Sequence, residues 1–163
     1  MKRRTPTERA IRDLELALTR MQGLIEPYKS ERIGMGDDRV ARLLAEQSYW
    51  YRTHVHNIVL LSKNRPPVLV KGTYKTIRER FTKKFHMFTV AQLFNIILRA
   101  HLNLTRVKHR LPVHASLVFQ HKHGSPPMTL VKGLKSIRKD IETTMRTIRR
   151  VRPRQNVKHQ KLS

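Results

Sequence analysis

Apolar residues along this chain recur mostly at helical spacing. Ile11, Leu14, Leu18 and Met21 fall three and four residues apart, which draws one stripe down a helix. Just upstream, Thr5-Pro6-Thr7-Glu8 offers a capping hydroxyl, a proline at the first helical position and a glutamate that can close a capping box. Gly23 and Pro27 are expected to end that helix, and residues 26–36, with Gly34 and Gly36, read as a loop. Asp37 is then placed to cap a second helix through Val40, Leu44, Tyr51, Val55, Ile58 and Leu61. The strand formers at 49–53 could break it, but Lys63-Asn64-Arg65-Pro66-Pro67 supplies a helical exit, and a helix is favoured.

Three further apolar patterns follow. Tyr74, Ile77, Phe81, Phe85 and Phe88 predict a helix over 74–88. Thr89-Val90-Ala91-Gln92 is a second capping box, and it opens the most apolar segment, with Leu93, Phe94, Ile97, Leu98, Ala100 and Leu104. Pro112 marks the next break. Residues 113–121 alternate like a strand that pairs with 128–131, although a short helix is preferred there. Leu134, Ile137, Ile141, Met145 and Ile148 predict a last helix over 133–152. The expected fold is therefore mainly α, a helical bundle of about six helices. An α+β fold with one or two short hairpins near 49–71 and 112–132 is the alternative.

Two stretches resemble each other. Pro66-Pro67 and Leu69-Val70-Lys71-Gly72 match Pro126-Pro127 and Leu130-Val131-Lys132-Gly133, sixty or so residues apart, and Ile77 matches Ile137. They suggest an internal helix–linker–helix duplication. Chance similarity in a chain rich in lysine and arginine is the competing explanation.

Charge changes the picture from fold to partner. The formal net charge is +24 over 163 residues, and it is unevenly placed. Eight of the eleven acids lie in residues 1–46, which carry a net of only +2, while residues 47–163 carry +22. This divides the chain into a near-neutral segment 1–46, a basic body 47–152 and a basic tail 153–163 expected to be flexible. The first segment is assigned a protein contact or self-association. A body that cationic repels itself and calls for a polyanion. The candidate phosphate contacts are Lys71, Lys75, Arg78, Arg80, Lys83 and Lys84 in the first basic helix region. In the second they are Lys132, Lys135, Arg138, Lys139, Arg146, Arg149, Arg150, Arg152 and Arg154. Tyr49, Trp50 and Tyr51, beside Arg52, are candidates for base stacking, but helical spacing must bury at least one of them, and core packing is the favoured role.

Other chemistry finds little support. With no cysteine there is no thiolate, and His54-x-His56 and His121-x-His123 have a spacing suited to strands, so no metal or other cofactor is expected. After residue 46 the only acids are Glu79, Asp140 and Glu142, and no phosphate-binding glycine loop or nucleophile elbow occurs, so an enzyme is not expected. No apolar run is long enough to span a membrane, and Glu8, Asp13 and Glu15 argue against a mitochondrial presequence without closing that destination.

The expected function is a non-catalytic RNA-binding protein, a structural component or assembly factor of a ribonucleoprotein. RNA is favoured over DNA because no recognition-helix signature appears. In composition the chain resembles ribosomal proteins, with no motif that assigns a family. An intracellular setting is expected, with the nucleus, the nucleolus or a ribonucleoprotein particle first. The alternative is a small regulatory accessory protein, for example virus-encoded. It would use Lys2-Arg3-Arg4 and 149–154 for nuclear import and dock on acidic partners.

Overall fold

The computed structural model describes residues 3–111, 118–120 and 127–151. Five α-helices account for most of them: α1 (Pro6–Ile25), α2 (Arg39–Ser62), α3 (Tyr74–Lys84), α4 (Val90–Val107) and α5 (Leu130–Arg150). The fold is mainly α, with one helix fewer than expected. The short helix expected at 113–121 is replaced, in its described part, by a strand. Val118–Gln120 (β1) pairs antiparallel with Pro127–Thr129 (β2), so the hairpin alternative near 112–132 holds there. The hairpin alternative near 49–71 does not, because 49–62 is continuous helix.

Local chemistry sets the helix starts. Thr5 and Glu8 form the reciprocal capping box of α1, and Thr89 and Gln92 form that of α4. Thr73 and Thr129 cap α3 and α5 through their hydroxyls. Gly23 does not stop α1, which runs on to Ile25 because that residue packs into the core.

Asp37 does not cap α2 either. It is engaged by Arg39 through two bonds of 2.9 Å, and Asp38 turns back to accept from the Gly34 N–H at 2.8 Å and from Arg42 at 2.9 Å. The open first turn of α2 is met by Glu31, whose carboxylate accepts from the Ala41 N–H at 3.1 Å. Asn64, at φ 58°, forms the left-handed exit of α2 that the sequence predicts.

Helices α1, α2, α4 and α5 form the bundle. α1 packs along α5 and α4, α2 packs along α4 and α5, and α3 rides on the outside of α2. α1 and α2 therefore each lie between α4 and α5. One core runs through all of them, from Leu14 and Met21 through Leu44, Ile58 and Ile97 to Leu134 and Ile141.

The segment 1–46 is integral to this core. The charge boundary at 46–47 falls in the middle of α2, the apolar stripe of α1 is buried, and the loop after α1 is tied down. The Lys29 and Glu31 carbonyls accept from Ala91 and Val90 at the start of α4, and the Tyr28 hydroxyl donates to the Val151 carbonyl at 2.9 Å.

Among the described residues, the matched tetrapeptides of the suggested duplication differ in conformation, although each leads into a helix that buries its matched isoleucine, Ile77 or Ile137. Leu69-Val70-Lys71-Gly72 is irregular backbone ending in Gly72 at φ 118°, whereas Leu130-Val131-Lys132-Gly133 is the first turn of α5. The hydroxyl that caps each helix sits on a different side of the tetrapeptide, after it at Thr73 and before it at Thr129.

Candidate nucleic-acid interface

The acids of the first 46 residues are engaged, some by neighbours in sequence and some across the fold. Asp13 accepts from Arg138 of α5 at 3.1 Å, Glu15 pairs with Arg12, Glu26 with Lys29, and Glu46 accepts from the Tyr74 hydroxyl. Desolvation, and then the neighbouring Glu46, raise the Tyr74 hydroxyl above its ordinary value, against the pull of Arg78. From Gln47 to the end of α4 the sole acid is Glu79. Two thirds of α2 and all of α4 thus present cations with nothing of opposite sign beside them on their own helices.

Those cations converge. Arg52, His56 and Lys63 lie along one stripe of α2, and Arg99, Asn103 and Arg106 along one stripe of α4. Where α2 and α4 pack, the two stripes rim a groove of about 430 Å³ floored by Val55, Val59, Ile96, Ala100 and Val107. A second groove of about 580 Å³ lies on the other side of the α2 stripe, between Tyr49, Thr53 and Asn57, the backbone strap 68–71 and Arg80 of α3. Arg52 and His56 line both, and no residue lining either is an acid.

Asn57 builds the second groove. Its buried amide accepts from the Val68 N–H at 2.9 Å and donates to the Val68 carbonyl at 3.1 Å, which fastens the strap to α2. Two cations share one aromatic ring. Arg52 and Lys84 lie 6.0 and 5.9 Å from the centroid of the buried Phe85 ring. Partial burial, and then the Arg52 charge, depress the Lys84 ammonium below its ordinary value.

The predicted contact residues are divided by the fold. Lys71 and Arg80 line the second groove, Lys84 stands beside Arg52, and Lys75 and Lys83 are exposed on α3. Arg78 lies over the Tyr74 ring at 4.7 Å and donates to its hydroxyl at 3.0 Å. On α5, Lys132, Lys135, Lys139, Arg146, Arg149 and Arg150 are exposed. Arg138 is half-buried and paired with Asp13 and, at 3.8 Å, with Glu142, so its charge fastens α5 to α1. Arg152 and Arg154 lie outside the described residues.

The aromatic cluster takes the favoured role of core packing at two of its three positions, against base stacking there. Trp50 and Tyr51 are buried in the core and Tyr49 is half-buried against Phe81 at 5.4 Å, so Trp50 and Tyr51 offer no stacking face. Trp50 stacks on His54, and the Tyr51 hydroxyl bonds His101 Nδ1 at 2.8 Å. Successive helical positions point some 100° apart, so three adjacent aromatics on a packed helix cannot share a surface. By the same geometry His54 is buried and His56 exposed, and the two imidazoles diverge. His121 and His123 lie outside the described residues. Among the described residues, no three His, Asp or Glu side chains gather as metal ligands would, and no helix is long and apolar enough to cross a membrane.

Arg52, His56, Lys63, Arg99, Asn103 and Arg106 do not form a run of basic residues in the sequence, so they are not among the predicted phosphate contacts. Their signal was spacing: i, i+4 and i+11 on α2, i, i+4 and i+7 on α4, in segments without acids. Comparison of the chain with protein-family models, with curated proteins and with solved structures finds no match.

Proposed function

We propose that the protein is a non-catalytic RNA-binding protein, a structural component or assembly factor of a ribonucleoprotein. The observation that carries this reading is the acid-free cationic lining of the two grooves that meet at Arg52, backed by the exposed cations of α3 and α5. Cations held this close without counter-charges favour a polyanion, which neutralises them and releases its own counterions. RNA is preferred to DNA because the cations of the α2–α4 region line concave surfaces between packed helices.

The exposed cations of α5 supply backbone contacts without sequence information. Neutralising Lys135, Arg146 and Arg149 to Gln is expected to weaken binding about equally for RNAs of different sequence. The slope of log affinity against log salt should fall by about 0.7 per contact removed from a single strand. Fluorescence anisotropy with labelled RNAs at several salt concentrations reads both effects. Purified protein that carries no nucleic acid and binds none at low salt would overturn the proposal.

A further inference from the structure

We propose that the two grooves joined at Arg52 form one continuous trough that takes a single strand of RNA, with bases against its apolar floor and phosphates on its rim. The inference rests on the RNA-binding reading and assigns that binding to a place and a strand form. Shared lining by Arg52 and His56 makes the grooves neighbours along α2, and their volumes of about 430 and 580 Å³ are within the range of preformed ligand pockets.

The floor decides the strand form. Surfaces that bind only phosphate need cations alone, whereas Val55, Val59, Ile96 and Ala100 place apolar surface between Arg52 and Arg99. Unstacked bases have apolar faces to bury there; a duplex keeps its bases stacked inside and presents sugar and phosphate.

Charge-neutral and charge-retaining variants separate the alternatives. Arg52→Gln with Arg99→Gln should weaken binding of a short single-stranded RNA by about tenfold or more, and leave binding of an RNA duplex within about twofold. Arg52→Lys with Arg99→Lys should keep most of the single-strand affinity. Lys63→Gln with Arg106→Gln provides an independent pair on the same rim, should the first neutral pair lower the melting temperature. All four positions are at the exposed surface, so folding is expected to survive.

Equal loss on duplex and single strand, or no loss on either, would overturn the trough while leaving RNA binding intact. Wild-type protein that binds neither RNA would overturn both. Competition by polyglutamate as effective as competition by RNA of equal charge would also overturn the trough, since it would mean that bases contribute nothing.

Discussion

His101 is buried in α4 with its Nδ1 bonded to the Tyr51 hydroxyl, and its burial has a pH consequence. Desolvation lowers its value below the ordinary 6.5, and Glu15 opposes that only in part. In the unfolded chain the imidazole binds a proton as pH falls through its ordinary value, while the folded protein keeps it neutral. Stability supplied by the neutral buried ring is therefore present above that value and lost as pH falls towards the lowered one. Urea unfolding followed from neutral to mildly acidic pH should show this decline, and His101→Gln should flatten it. Identical pH slopes for the two proteins would contradict the assignment. Ile97, fully buried on the same helix, tests the core instead: Ile97→Ala is expected to cost about 2–5 kcal/mol in the same experiment.

Helices are the part of the fold most legible in the sequence, because capping and periodicity are local. Thr5 with Glu8, Thr89 with Gln92, and the stripes of α1, α4 and α5 all lie where residue spacing places them. Thr89→Ala is expected to cost about 1 kcal/mol, read as a shift of the urea midpoint with an unchanged slope. What the sequence concealed depends on distant partners. Asp37 and Asp38 look equally able to cap α2, and only the fold brings Glu31 to do it. The repeated Leu-Val-Lys-Gly tetrapeptide has one sequence and two conformations, since its neighbours place the cap differently.

The strap 68–71 is legible only through Asn57, eleven residues away in sequence. Asn57→Ala removes both bonds to Val68 and should cost about 1–3 kcal/mol. It should also raise amide hydrogen exchange at residues 68–71 more than in α4, a pattern that uniform destabilisation would not give.

Across the whole molecule, the charge asymmetry of the sequence becomes a difference between surfaces rather than between domains. The acids of 1–46 serve α1, the following loop, the first turn of α2 and Arg138, and they leave the later part of α2 and all of α4 without an acid on their own helices. Counting charge along the chain located the excess after residue 46 but placed it on 74–88 and 133–152. Packing adds the α2–α4 rim, which no run of basic residues marks. A polyanion that binds the folded form should also stabilise it, so the melting temperature is expected to rise with added RNA, most at low salt.

The most direct measurement is the salt dependence of RNA affinity for the intact chain. If about eight cations contact the phosphates of a single strand, log affinity should fall linearly against log salt with a slope on the order of −5 to −6. An affinity that is flat in salt, or absent at low salt, would contradict RNA binding through these surfaces.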